Sequence, residues 1–403
     1  MANTLLTSSV IMKESLRILK NELTFTRGVN REYDDKFGVT GAKVGATINA
    51  RKPPRYVGRT GQALQVESST ETYVPITLDT QFGVDISFSS ADLTLHIDEF
   101  ADRFLKPAMA TVSNKVDYDG LQLFKDVNNF AGTAGTLNSS SVTSAQVQQT
   151  ILAARRKMTE NGVPYNPRNI VVDPASSASM VSGLTNLFNP SQTISKIFNQ
   201  GALGDNILGF NFAEDANVAS FTSSTYAGVT NATVPTSGAT SITFATGGSG
   251  TLARGTVFNV AGIYAINPQS RQSTGSLMQF VVTADTALSG ATSVPVYPAV
   301  ILSGQFQTCT TAASGAQAVT ILTGATGTAY AQNLAYHKDA FTLASADLLL
   351  PGGVDMAERD NFDGISMRMV RQYDINSDLF PVRFDVLYGW KTIYPELAVR
   401  ITG

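Results

Sequence analysis

Two histidines, one cysteine and a few closely spaced carboxylates are the residues in this 403-residue chain best suited to chemistry. An imidazole at His96 or His337 is a candidate general base or metal ligand, yet neither has a second Cys or His at ligand spacing. His96, beside Asp98 and Glu99, reads as a polar residue at a helix start; His337, before Lys338 and Asp339, reads as a surface or strand-edge residue. Asp117-Tyr118-Asp119-Gly120 has the opening of a calcium loop but lacks the later ligands and the closing glutamate, so it reads as a helix-surface pair. Cys309 has no basic neighbour to lower its pKa and reads as a buried, inert thiol. The glycine run Gly247 to Gly250 falls in a low-charge turn rather than between a strand and a helix, and reads as a loop. Neither a Walker-type phosphate loop nor a GxSxG nucleophile elbow occurs. The expectation is no catalytic residue, no cofactor, no metal and no enzymatic role. The enzymatic alternative is a hydrolase site built from dispersed acidic residues.

The elements that would position such groups are organised by charge. From Ala216 to Tyr336 the only charged side chains are Arg254, Arg271 and Asp285, among 61 in the whole chain. Short runs such as Thr256 to Val260 and Leu277 to Val282, separated by Gly, Ser and Thr, read as strands of a small barrel or sandwich. A disordered linker would lack those apolar runs. The tract interrupts a chain that is otherwise α+β.

Lys36 to Val66 holds Lys36, Lys43, Arg51, Lys52, Arg55 and Arg59 with no acidic residue, and Glu67 and Glu71 follow. Ala46, Ile48 and Ala50 alternate with Thr47 and Asn49, and Val74, Ile76 and Leu78 with Pro75 and Thr77, which predicts two half-buried strands flanking a tip broken by Pro53-Pro54. Three readings stay open: a solvated loop, a strap lying across a neighbouring subunit, or a nucleic-acid contact through the cations and Tyr56. The strap reading predicts inter-subunit contacts at Arg51, Lys52, Arg55, Arg59, Glu67 and Glu71.

Helical spacing predicts a short N-terminal arm from Met12 to Leu23 that docks on something else. It predicts a long helix from Asp92 to Asn129, in which Pro107 either kinks the helix or starts its second part. A second helix from Thr143 to Gly162 has a capping-box signature in Thr143 and Gln146. Ile170 to Val172 is a short strand, and Asp173-Pro174 opens a helix through Leu184. Near the end, Ile365 to Met369, Val382 to Tyr388 and Leu397 to Ile401 are strands expected to share one antiparallel sheet on the long helix.

The formal net charge of -3 and pI near 5.5 give no general drive toward nucleic acid. A single cysteine excludes an intrachain disulfide and suits a reducing compartment. No apolar run reaches the roughly 18 residues of a bilayer-spanning helix. Met1 to Val10 has no basic run ahead of its apolar residues, so a secretory leader is not expected.

Three stretches resemble a known family: Phe104 to Asp117, Gly255 to Pro268 with Gln279 to Thr283, and Ser366 to Asp374 through Phe384 to Trp390 and Pro395 to Arg400. Together the chain is similar to the major capsid proteins of tailed bacteriophages with the Hong Kong 97-type fold, in the podovirus coat subgroup that has an inserted β-domain. The resemblance implies an N-terminal arm at 1–42, an extended loop at 43–89 and a peripheral domain with its spine helix at 90–142. It implies an axial domain at 143–220 and 333–364, an inserted β-domain at 221–332 and closing peripheral strands at 365–403. It also implies self-assembly into hexamers and pentamers of an icosahedral shell around double-stranded DNA, bound without sequence specificity. Further implied partners are a separate scaffolding protein and a portal at one vertex, with assembly in the host cytoplasm and no membrane. A related alternative is an encapsulin-type compartment; an adhesin or tail fibre would leave the long helix unexplained.

Overall fold

The computed structural model describes residues 8–31, 47–59, 61–64, 66–67, 71–89, 104–139, 141–184, 203–204, 206–311 and 314–402. The chain mixes helix and sheet, with 21% helix and 44% strand. It divides into two compact units, one of Met1–Lys52, Tyr73–Gly120 and Phe341–Ile393, the other of Pro53–Thr72, Leu121–Ala340 and Tyr394–Gly403.

The first unit is built on a five-stranded antiparallel sheet. Its long strand Leu379–Thr392 pairs with Thr80–Ser89, Phe341–Ala346 and Ile365–Arg371, and the last of these pairs with Met356–Phe362. Val382, Phe384, Val386 and Tyr388 are buried, as alternation predicts, but so are Asp385 and Leu387. The middle of this strand is therefore covered on both faces, where alternation predicts only one. Asp385 is tolerated there because Arg368 and Arg383 both donate to its carboxylate. Gly389 is required by a close approach: a Cβ would sit 1.9 Å from the Thr77 carbonyl oxygen.

Two helices complete this unit. α1, Ser8–Glu22, buries Met12, Leu16, Ile18 and Leu19 and packs on the strands Met356–Phe362 and Ile365–Arg371. The arm expected to dock on something else is thus docked on a sheet of its own chain, because its apolar stripe finds a face there and Lys20 and Arg31 both reach Asp363, at 3.0 and 3.1 Å. α2, Lys106–Leu121, has Pro107 in its first turn, where the missing N–H costs nothing. It gives way to a 3-10 turn, Gln122–Asp126, short of the predicted end at Asn129. His96 and the expected helix before residue 104 lie outside the described residues. Asp117 is buried rather than on the helix surface. It accepts from the backbone N–H groups of Thr24 and Thr26 at 2.7 and 2.9 Å, tying the post-α1 segment to α2. Asp119 accepts from the Tyr388 hydroxyl at 2.7 Å, and the Trp390 indole N–H donates to the Val116 carbonyl at 3.1 Å.

The second unit holds two sheets. The first is six-stranded, with Arg168–Val172, Ala329–His337 and Ala398–Thr402 at its centre, flanked by Phe130–Ala131, Asn211–Glu214 and Ser220–Thr222. Ala398–Thr402 therefore does not join the sheet of the other two closing runs; it pairs antiparallel with Ala329–His337 and parallel with Phe130–Ala131. Periodicity shows that a segment is a strand and says nothing of which sheet receives it. α3, Ser144–Glu160, and α4, Pro174–Leu184, pack here, burying Val147, Ile151, Ala154, Met158 and Met180 against Ile170, Val172 and Val399. The capping box at Thr143 and Gln146 is formed in both directions. His337 is buried, not at the surface, and faces Arg168 in register. Burial lowers its pKa, and the neighbouring Lys338 and Arg168 lower it further against the opposing pull of Asp339.

The charge-poor tract forms the other sheet, with its own core. Six of its strands pair in a closed antiparallel ring: Asn231–Thr233, Ala239–Leu252, Thr286–Val300, Ser273–Val282, Val257–Ile266 and Ala316–Ile321, which returns to the first. Closure removes most of the open edge that charge would otherwise guard; Tyr226–Ala227 and Cys309–Thr311 pair with it from outside. Phe258 meets Phe244 edge-to-face and Phe280 at a tilt in its core, with ring centroids 5.3 and 5.9 Å apart. Gly247 to Gly250 lie within the strand Ala239–Leu252, beside a register shift between Phe244 and Gly248, and not in the expected loop.

Candidate assembly interface

The basic loop begins on the strand Thr47–Lys52, which pairs with Thr72–Thr77 as the alternation predicts. Arg51 is exposed and Lys52 half-buried on this strand. Beyond Pro53-Pro54 the chain extends through Gly58, and Arg55 forms an ion pair with Glu396 at 3.1 Å. Glu67, on the returning limb, accepts from the backbone N–H groups of Val57 and Gly58, each at 2.7 Å. The Arg59 guanidinium donates to the carbonyls of Gly61 and Ala63, closing the tip. Glu71 is exposed. The six residues singled out from sequence thus occupy one loop, but they do different things there. Arg55, Arg59 and Glu67 shape the loop within the chain, while Arg51 and Glu71 stand at its exposed flanks.

The loop also displays apolar side chains that charge patterning hides. Leu64 and Val66 are 81% and 85% exposed, and Tyr56, Val57 and Tyr73 are more than half exposed. Exposed large apolar side chains recur along this one stretch of chain, where a Gly/Pro-rich loop more often exposes polar ones. Their signal in the sequence was present but weak, since isolated apolar residues in a Gly/Pro-rich tract have no period to read.

Several residues that hold the loop and the ring were not singled out from sequence. The Arg271 guanidinium donates to the carbonyls of Tyr56 and Val57 at 2.6 and 3.3 Å. Glu396 takes the Tyr297 hydroxyl on its second oxygen at 2.9 Å. Burial and the Glu396 carboxylate raise the Tyr297 pKa well above its ordinary value, so the group remains a phenol that donates. Arg254 pairs with Asp126 at 2.7 Å, and Gln279 exchanges two hydrogen bonds with the Phe130 backbone at 2.8 and 3.0 Å. Arg400 is fully buried between the rings of Phe124 and Phe221, at 5.0 and 5.4 Å, and donates to the Gln332 side-chain oxygen and the Gly255 carbonyl. Desolvation lowers its pKa to about 9, which leaves it charged at neutral pH, stabilised by two aromatic faces.

The groups with chemical potential are dispersed. Burial raises the Cys309 thiol, away from the thiolate a nucleophile needs. Among the described residues no group of three or more His, Cys, Asp or Glu is arranged to hold a metal ion. No described helix is long and apolar enough to cross a membrane.

A family model, the P22 coat protein, gene protein 5, matches residues 9–403. The chain belongs to this coat-protein family. Its role is therefore structural, in a bacteriophage capsid. No curated protein matches. Among solved structures, the coat protein is similar to a chain of Mycobacterium phage Che8, with 14% identity, 94% of this chain and 90% of that chain covered, and a TM-score of 0.47. It is similar to a chain in the capsid of Ralstonia phage GP4, with 9% identity, 91% and 85% covered, and a TM-score of 0.45. A virus-like particle from Pyrococcus furiosus aligns at 7% identity over 98% of each chain, with a TM-score of 0.40.

Proposed function

We propose that this coat protein is the major capsid subunit of a tailed phage, with a Hong Kong 97-type architecture, and that copies of it tile an icosahedral shell enclosing double-stranded DNA. The observation behind this reading is the family match across residues 9–403, which includes the loop, both sheets and the charge-poor ring. In this reading 43–89 is the extended loop, and 221–332 is an inserted β-domain that stiffens the subunit. The five-stranded sheet with α2 belongs to the peripheral domain, and it takes in the strands Phe341–Ala346 and Met356–Phe362, which the sequence bounds of 143–220 and 333–364 assign to the axial domain; the six-stranded sheet belongs to the axial domain and takes in Ala398–Thr402 from the closing run 365–403. The basic loop is a strap for a neighbouring copy, with Arg51, Lys52, Arg55, Arg59, Glu67 and Glu71 in or beside the contact. Its exposed Leu64 and Val66 support this role, since a solvated loop has no use for them.

Assembly follows from weak contacts multiplied. Surface ion pairs contribute about 0–1 kcal/mol each, but a subunit that engages several neighbours at once gains avidity from all of them. The near-neutral charge suits a container, because a strongly basic lumen would hold phosphate tightly. A separate scaffolding protein, a portal at one vertex and assembly in the host cytoplasm complete the proposal. The family match favours a phage coat over a cargo-holding compartment. Expression with the scaffolding protein encoded beside it, followed by negative-stain electron microscopy, should give closed shells of uniform diameter. Purely monomeric protein under all conditions that permit its folding would overturn the reading.

A further inference from the structure

We propose that the base of the strap, Pro53 to Gly58, is latched to its own chain before any neighbour arrives, with Arg271 and Glu396 as the latch. The inference rests on reading this loop as an inter-subunit strap. It adds that the strap is delivered already shaped.

Between Ala216 and Tyr336 only three side chains are charged, and Arg271 is one of them. It spends its guanidinium on two successive carbonyls of an exposed segment, Tyr56 and Val57. The amide side of that segment is served by Glu67, which accepts from the N–H groups of Val57 and Gly58. One cation and one anion thus partner four backbone groups of a stretch that, among the described residues, pairs with no strand. The side chains of Tyr56 and Val57 are 57% and 51% exposed. A solvated loop would leave this backbone to water.

Arg271 also sits in the left-handed region, at φ 56°, a conformation unfavourable for a non-glycine residue. The turn around it enforces that strain: Arg271 N–H donates to the Asn267 carbonyl, and the Asn267 side chain accepts from the N–H groups of Gln269 and Ser270. Strain held in place by a dedicated turn points to a use for the side chain it aims.

The second clasp is Glu396. One oxygen meets Arg55, the other meets Tyr297, and its carbonyl accepts from Asn129 and Asn161. Beside Arg55 lies a cavity of about 80 Å³ with a mixed lining, polar at Lys157, Glu160 and Glu396 and apolar at Ile266, Pro268 and Met278. Glu396 thus holds Arg55 while being held itself by Tyr297, Asn129 and Asn161. Ordering the strap within the subunit removes that entropy cost from the association step.

Hydrogen exchange on the monomeric full chain tests the latch. Arg271→Ala should speed exchange of the Val57 and Gly58 amides by about tenfold, the scale of losing a charged hydrogen bond. Arg271→Lys should fall between, because an ammonium cannot fork onto two carbonyls. Glu396→Gln should speed the same amides through loss of Arg55. Unchanged amides in the ring strands report that each variant is folded; if Arg271→Ala disturbs them, Arg271→Lys decides. Wild-type Val57 and Gly58 amides exchanging at free-peptide rates, or variants that exchange like wild type, would overturn the latch. Should the variants behave as expected while wild-type protein forms no shells, the latch stands and the strap reading falls.

Discussion

The charge-poor ring and the basic loop are ordered by opposite means. The ring closes its own hydrogen bonding and fills its centre with Phe244, Phe258 and Phe280, all essentially buried. The loop has few buried apolar groups and is held by Arg55, Arg59, Glu67 and Arg271 through hydrogen bonds and an ion pair. Burial is worth roughly 25 cal/mol per Å² of apolar surface, and exposed polar pairs are each worth a fraction of a kcal/mol to about 1 kcal/mol. The ring is thus self-sufficient and the loop is marginal alone, which is appropriate if one stiffens a subunit and the other waits for a partner.

The largest expected effect lies in the ring. Phe258→Ala removes a buried ring that contacts both Phe244 and Phe280 and should cost about 3–5 kcal/mol. Chemical denaturation monitored by circular dichroism checks it; a loss under about 1 kcal/mol would break the claim that the ring depends on its aromatic core.

Next comes the loop. Reversing Arg51 and Arg59 together to Glu should leave the unfolding midpoint unchanged yet abolish shell formation, since like-charge juxtaposition costs several kcal/mol at an interface. Light scattering and electron microscopy on the same preparation read both halves. Normal shells would remove these cations from the contact.

A third prediction concerns the sheet beside the ring. In the unfolded chain His337 takes up a proton near pH 6.5, whereas burial in the fold delays protonation to lower pH. Between those values the unfolded state binds more protons, so stability is full above about pH 6.5 and falls as the pH drops, by at most about 1.4 kcal/mol per pH unit. His337→Gln should flatten this part of the stability profile. A variant with the wild-type slope would assign the acid sensitivity to other groups.

The smallest effect is expected where the ring meets an exposed charge. Asp126→Asn disrupts the pair with Arg254, whose side chain is half exposed, and should change stability by under about 1 kcal/mol. A larger loss would mean that the ring leans on polar attachment more than its core suggests.

Local elements were legible where a single rule governs them. Thr143 and Gln146 mark the start of α3 because a cap is a contact within four residues, and the alternation at Ile48 and Ala50 or Val74 and Ile76 marks strands because pleating repeats every second residue. The loop was found from its cations. Its holding residues, Arg271 and Glu396, were not, because they lie 215 and 341 positions away from Tyr56 and Arg55 along the chain.

What the sequence determined alone was therefore the local content: which segments are helix or strand, where charge is withdrawn, and which loop is basic. Tertiary structure alone decided which sheet receives Ala398–Thr402, that α1 docks on its own chain, that His337, Asp117 and Arg400 are buried, and what clasps the loop. The reason is that periodicity and capping act over a few residues, while pairing partner and burial are set by segments hundreds of positions apart.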